Sequence, residues 1–381
     1  MYRRCPPCFV VEAGSVIMQN TIGSMARYIK NIIPPSIPET YSIKAIFNHI
    51  SGEENIRTGI LAFRDFLYLI CDRLIVDGSV YDKPVKNTQN NVSHPSLPVS
   101  FPFLNNVKSI LFNIGYHGEL VESDGRILLG DPELLTTVIG VDGGQMKAKI
   151  SVPRLIEALK FLTNCGINFN GIDLDEQTLD LKAVSLEITY PDNPITLIGL
   201  KVMAIAQKDL YSKGNHDIFL RCDYRVLKED DTEVISILRD FVAPLPVVVQ
   251  DFALKLHQRY LEAGLTCIVE VFYLGIRFIY SHKNKEIWTF SAAHESGYRI
   301  LIKAQNTHRY PEVIETLPVD LKKIISRGYG CNKKLFGELC QKGCHGFSFP
   351  LDDSIIDISQ DIEVWLDKEI SCLLRRKHLN E

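Results

Sequence analysis

The stretch Thr266-Cys267-Ile268-Val269-Glu270-Val271-Phe272, continued by Ile276–Ser281, Glu286–Ser291 and Tyr298–Ala304, decides the fold class of this chain. Each run mixes β-branched and aromatic residues with polar ones in alternation, the period of a strand with one buried face. The runs are separated by His282–Lys285 and Ala292–Gly297, short segments rich in turn-forming residues. Neighbouring strands joined by such short turns must be antiparallel, so the reading is a β-meander. Outward from it, one helix is expected through Phe241 and a second, after Pro244-Leu245-Pro246, through Tyr260. On the other side short helices are expected at Tyr310–Thr316 and Val319–Ser326, and a last one from Ser359 with Ile362, Leu366, Ile370 and Leu373 on one side. Residues 231–381 therefore read as a C-terminal α+β domain: an antiparallel meander flanked by helices.

Toward the N-terminus the period changes. Ile56, Ile60, Phe63, Phe66, Leu67, Ile70 and Leu74 recur at three- and four-residue steps, which predicts an amphipathic helical module over 18–78. Residues 1–17 carry no period and read as a disordered leader. The Asn-, Ser- and Pro-rich stretch 79–102 reads as a linker. Residues 103–230 read as a middle α/β region built from helix–hairpin units. One has its helix around Val107, Ile110, Leu111 and Ile114, with a hairpin at 119–129; the other is a helix capped by Ser151 with Pro153 in its first turn. A winged-helix-like arrangement is one expectation for these units. A further helix is expected from Asn193-Pro194 through Ala206, and Ile218–Val226 alternates as a strand.

With 381 residues, 46% hydrophobic and 23% charged, the chain holds enough apolar material for two or three modules. A formal net charge of −4 gives no global attraction to nucleic acid or anionic membrane. No run reaches the roughly 18 apolar residues of a membrane span. Phe9–Val11 is too short for a secretory signal. Five of the ten cysteines, Cys71, Cys165, Cys222, Cys267 and Cys372, sit singly in apolar runs, as reduced thiols do. The expected location is the cytoplasm, with no membrane partner.

Three motifs could carry chemistry. Cys331, Cys340, Cys344 and His345 fall close together and offer the soft and borderline ligands that tetrahedral zinc prefers, although neither cysteine spacing is CxxC. Zinc is the cofactor these residues suggest, in a structural role; a metal-to-protein ratio near unity that drops in Cys331→Ser is the test. The one CxxC, at Cys5 and Cys8, lacks the preceding strand that redox dithiols need. Gly140-Val141-Asp142-Gly143-Gly144 is similar to the first phosphate-binding turn of the sugar-kinase and actin-like ATPases, but Gln145 and Met146 stand where that turn carries Thr or Ser. No serine-elbow, zinc-protease, Walker or dinucleotide signature is present.

Two strands carry ordered charge. In Ile218–Val226, Arg221, Asp223 and Arg225 alternate with apolar residues, which reads as a solvated strand face. In the meander, Arg277, Arg299 and Lys303, with Trp288 and Tyr298, form a candidate ligand-binding set, cations supplying hydrogen bonds and aromatics stacking.

Phe112-Asn113-Ile114-Gly115-Tyr116-His117-Gly118, Gly171-Ile172-Asp173-Leu174, Tyr190-Pro191-Asp192-Asn193-Pro194, Phe219-Leu220-Arg221-Cys222-Asp223-Tyr224-Arg225, Gly328-Tyr329-Gly330-Cys331, Gly343-Cys344-His345-Gly346-Phe347 and Trp365-Leu366-Asp367 carry a resemblance. With these phrases the chain, from about residue 103 onward, resembles an uncharacterised family of clostridial Firmicutes. The resemblance implies a bacterial, cytoplasmic setting and supplies no catalytic residue.

These readings order the expected functions. First is a binding protein whose C-terminal domain recognises a small ligand or a protein partner. Second is nucleic-acid binding through the helix–hairpin units, using Lys108, Lys147, Lys149, Arg154 and Lys160. Third is a nucleotide-hydrolysing enzyme at the Asp142 turn; the sequence names no catalytic residue, and an enzyme is the less expected outcome.

Overall fold

The computed structural model describes residues 21–81, 101–121, 125–140, 142–176, 179, 181, 185–210, 216–304, 306–327 and 347–374. They fall into two compact units, one of residues 19–233 with 271–274, the other of 234–270 with 275–381. The protein is a mixed helix and strand fold with a helical N-terminal region and an antiparallel five-stranded sheet toward the C-terminus. Among the described residues no helix is long and apolar enough to cross a membrane. The leader 1–17 and most of the linker 79–102 lie outside the described residues.

The N-terminal unit is organised around one helix. Helices α2 (Glu53–Asp77) and α3 (Pro102–His117) pack directly on α5 (Thr196–Ile205), while α1 (Ile22–Ile32) packs on α2 and α4 (Val152–Asn164) on α3. α5 is apolar on nearly every side, Lys201 being its one charged residue, as suits a helix packed on several neighbours, with Leu197, Leu200, Val202, Met203 and Ala204 buried. Two glycine contacts let its neighbours come close. A Cβ on Gly199 would lie 2.0 Å from the Gly59 carbonyl oxygen of α2, and one on Gly115 of α3 would lie 2.8 Å from the Leu200 oxygen. Strands β1 (Glu119–Val121), β2 (Arg126–Leu129), β5 (Asn168–Asn170) and β6 (Leu186–Thr189) form one antiparallel sheet in the order β1-β2-β6-β5. The expected hairpin at 119–129 is present, but it and the strands after α4 merge into this single sheet. Strands β3 (Thr137–Ile139) and β4 (Gln145–Lys149) make a separate two-stranded ribbon.

The segment read as a strand at 218–226 is not one. It forms a short helix, α6 (Ile218–Arg221), then a 3₁₀ turn over Tyr224–Leu227. Asp217 caps α6, its Oδ1 accepting the Leu220 amide at 3.1 Å. Cys222 ends it in the left-handed region at φ 45°. A one-turn helix followed by a 3₁₀ turn buries charged and apolar residues together, and an i, i+2 pattern does not separate that from a strand.

The C-terminal unit is a sheet with helices on one face. Strands β7 (Thr266–Phe272), β8 (Gly275–His282), β9 (Lys285–Ala293), β10 (Gly297–Ile302) and β11 (Phe347–Pro350) lie in the order β11-β10-β9-β8-β7. The β8–β9 turn has two residues, Lys283 and Asn284, both at positive φ (47° and 62°), as a type I′ turn requires. Helices α7 (Val234–Val242), α8 (Val247–Glu262) and α11 (Ser359–Leu374) cover the apolar face, while α9 (Pro311–Thr316) and α10 (Val319–Arg327) lie between β10 and β11 in sequence. Phe241 of α7 packs its ring 5.0 Å from Phe278 and 5.1 Å from Tyr298. Trp365 of α11 packs 5.1 Å from Phe347. Arg259 of α8 pairs with Glu363 and Asp367 of α11, tying the two helices. Glu369 of α11 is buried and accepts from the Asn306 amide at 3.0 Å and the Tyr310 hydroxyl at 2.6 Å, fixing the chain after β10.

Candidate functional site

The α7–α8 pair forms a helical hairpin whose geometry leaves a cleft. Gln250 holds the turn, its Nε2 donating to the Leu245 carbonyl at 2.7 Å and the Ala243 carbonyl at 3.3 Å. With the turn fixed, Leu238, Phe241 and Val242 of α7 and Val249, Phe252, Leu256 and Tyr260 of α8 face the core. The adjoining stripe, Ile235 and Arg239 on one helix and Leu254, Lys255, His257, Gln258, Leu261 and Glu262 on the other, lines an open cleft of about 390 Å³. This volume falls in the range of small-molecule sites, and an apolar floor with a few polar groups is their usual composition.

His257 is the chemically distinct residue of the cleft. It is 3% exposed. Its Nδ1 lies 2.7 Å from the Tyr280 hydroxyl, and burial lowers its pKa, so the ring is neutral. Tyr280 stacks on Trp288 with centroids 3.6 Å apart and planes 7° from parallel. Burial raises the phenol, and the Cys267 thiol beside it adds to the rise. Cys267 is itself pushed up to about 11 by burial, its contact with Tyr280 opposing. Thiol, phenol and imidazole thus form a chain of uncharged groups running across the covered face of the sheet to the cleft.

The charges around the cleft are unequally matched. Lys255 reaches Glu363 at 3.0 Å, and Glu262 accepts from Gln258 Nε2 at 3.0 Å. The Arg239 guanidinium is exposed and has no carboxylate in ion-pair reach among the described residues.

The five residues expected to form a ligand-binding set do not assemble at one place. Cross-strand pairing puts Trp288 opposite Tyr280 and Ile302, and Tyr298 opposite Ala292, on the covered face of the sheet. Arg277 and Arg299 both oppose Ser291 on the other face. Arg277 pairs with Glu270 at 2.5 Å, Arg299 Nε donates to Ser348 Oγ at 2.5 Å, and Lys303 pairs with Glu286. Side chains alternate along a strand, so cations at odd positions and aromatics at even ones cannot share a ligand. Trp288 is wholly buried and serves the core.

The alternating charges of 216–225 are also placed differently from the expected solvated face. Arg221 and Asp223 are buried, at 2% and 5% exposure. Arg225 Nε donates to Asp223 Oδ1 at 2.6 Å, His216 Nε2 lies 3.5 Å from Asp223 Oδ2, and Arg221 reaches the Leu274 carbonyl at 3.4 Å. Burial pushes the Asp223 carboxyl up, but its cationic neighbours, Arg225 foremost, outweigh this and bring it down to about 2. Burial, then Arg221, drives His216 down to about 3. Beside them Lys108 and Asp217 form an ion pair at 2.5 Å, with side chains 1% and 4% exposed. Gln207, in the π-helical turn Ala206–Leu210, donates to the His216 carbonyl at 3.0 Å and accepts the Phe219 amide at 3.1 Å. π-turns and left-handed non-glycine residues such as Cys222 and Tyr273 often mark functional sites. Here the named hydrogen bonds and ion pairs engage these groups within the unit and organise it.

The Asp142 turn is the tip of the β3–β4 ribbon, where Asp142 Oδ1 accepts the Gly144 amide at 2.9 Å and so closes its own loop. Lys108 is committed to Asp217 and the Gly140 carbonyl, whereas Lys147 and Lys149 are exposed on β4. Lys160 pairs with Asp175 at 3.1 Å. Cys331, Cys340, Cys344 and His345 lie outside the described residues, as do Cys5 and Cys8; no group of three or more metal-ligating side chains occurs among the described ones. The histidine of the cleft was not singled out by the sequence. Its signal was its place beside Leu256 and four residues after Ala253, on the stripe that α8 buries.

No protein-family model, curated protein or solved structure matches the chain.

Proposed function

We propose that this is a binding protein whose C-terminal unit takes a small ligand in the α7–α8 cleft, in the bacterial, cytoplasmic setting that the family resemblance implies. The observation that carries the reading is a concave site of about 390 Å³ with an apolar floor of Ile235, Leu254 and Leu261 and a buried, neutral imidazole at its wall. Burying the body of a ligand on such a floor gains roughly 25 cal/mol per Å² of apolar surface, while a few polar groups orient it. Titration with the fluorescent apolar probe anilinonaphthalene sulfonate tests this. Saturable one-site enhancement is expected, and it is lost in Leu254→Trp, whose indole fills the cleft. No enhancement, or equal enhancement in the variant, overturns the reading.

Nucleic-acid binding is the competing reading. With Lys108 buried, it rests on Lys147, Lys149 and Arg154. Retention on DNA that falls steeply with salt would favour it, because phosphate contacts release counterions.

A further inference from the structure

We infer that the α7–α8 cleft is built for a small organic acid, its carboxylate received by the Nε2–H of His257 and the guanidinium of Arg239 and its hydrocarbon body lying on Ile235, Leu254 and Leu261. The inference rests on the cleft being a ligand site and adds the chemical class of the ligand.

The argument turns on which nitrogen of His257 carries the proton. A neutral imidazole has one donor and one acceptor. Its Nδ1 shares a 2.7 Å hydrogen bond with the Tyr280 hydroxyl. A phenol is the stronger acid and an imidazole nitrogen the stronger base, so Tyr280 donates and Nδ1 accepts. The remaining proton of the ring is then on Nε2, which has no hydrogen-bond partner among the described residues and stays accessible to water in the cleft. A carboxylate at that position would exchange the water on this N–H for a charge-assisted hydrogen bond. Because the ring lines the cleft, a ligand there can supply that acceptor.

Charge selects the kind of acceptor. Three charged side chains line the cleft, and two are already engaged: Lys255 with Glu363, and Glu262 as acceptor from Gln258. Arg239 remains, a guanidinium whose paired donors fit a carboxylate. A neutral acceptor would use His257 alone, and a cation would face Arg239.

Calorimetric titration of the full chain with octanoate, octanol and octylamine separates the outcomes. Octanoate is expected to bind about tenfold more tightly than octanol, the worth of a charge-assisted hydrogen bond. Arg239→Gln, a surface substitution, should remove most of that preference and leave octanol unchanged. Glu262→Gln should tighten octanoate further, by removing a like charge. If none of the three compounds binds, the ligand-site reading itself fails and this inference with it. If octanol equals octanoate, or octylamine is preferred, the cleft remains a ligand site and the acid assignment is overturned. His257→Phe should weaken octanoate as well; should that variant fail to fold, the Arg239 and Glu262 variants decide.

Discussion

His216 is held neutral in a unit that buries it among arginines, with a folded pKa of about 3 against an ordinary 6.5. The unfolded chain therefore binds a proton below pH 6.5 that the folded chain refuses until about pH 3. Stability from this group is complete above pH 6.5 and is lost as the solution is acidified through that window, by about 3 kcal/mol at pH 4. Asp223, depressed to about 2, adds its loss only at lower pH. Urea midpoints of the N-terminal unit at pH 7 and pH 4 check this, and His216→Gln should flatten the difference. Lys108 gives a second test at this scale. Lys108→Met leaves Asp217 charged and buried without its partner, which should cost about 3–5 kcal/mol. A change under 1 kcal/mol would mean that the pair is open to water. Neither Lys108 nor Arg221 was legible as buried in the sequence, because their partners, Asp217 for Lys108 and Leu274 for Arg221, are distant along the chain.

Secondary elements were read best where one period persisted. The β7–β10 meander and the α7, α8 and α11 helices stand close to where alternation and three-to-four spacing put them. The failure at 218–226 came in a segment too short for either period to establish itself, where a cap at Asp217 and a left-handed Cys222 decide the conformation. Helix crossing was not legible either: Gly59 and Gly199 look like ordinary weak positions in helices, yet they are where α2 and α5 touch backbone to backbone. Gly199→Ala should therefore destabilise by at least about 2 kcal/mol in chemical unfolding, against the small gain expected of an exposed helical Gly→Ala. In the β8–β9 turn, Lys283 occupies a left-handed position that suits asparagine or glycine. The double variant Lys283→Asn/Asn284→Gly should raise the stability of the C-terminal unit by about 1 kcal/mol, read as a higher thermal midpoint.

At the scale of the whole molecule one boundary between the units falls near residue 233, while the stretch 79–102 that reads as a linker falls inside the span of one unit. That unit is completed by Val271–Leu274: the Tyr28 hydroxyl and Arg221 donate to the Leu274 carbonyl, and the Asp217 amide donates to Tyr273. A fragment ending at 233 loses these acceptors, each worth about 1–3 kcal/mol when buried. It should unfold at clearly lower urea than the same unit in the full chain. The candidate site was legible only in part. The sequence pointed to the C-terminal domain, but it chose residues on a strand period and missed a cleft that exists only because two helices pack side by side. The claim that the α7–α8 cleft receives a small acid is tested most directly by a crystal soaked in 8-bromooctanoate, read by its bromine signal. The account predicts bromine over Ile235, Leu254 and Leu261 with the carboxylate at His257 Nε2 and Arg239; an empty cleft, or bromine bound elsewhere, would contradict it.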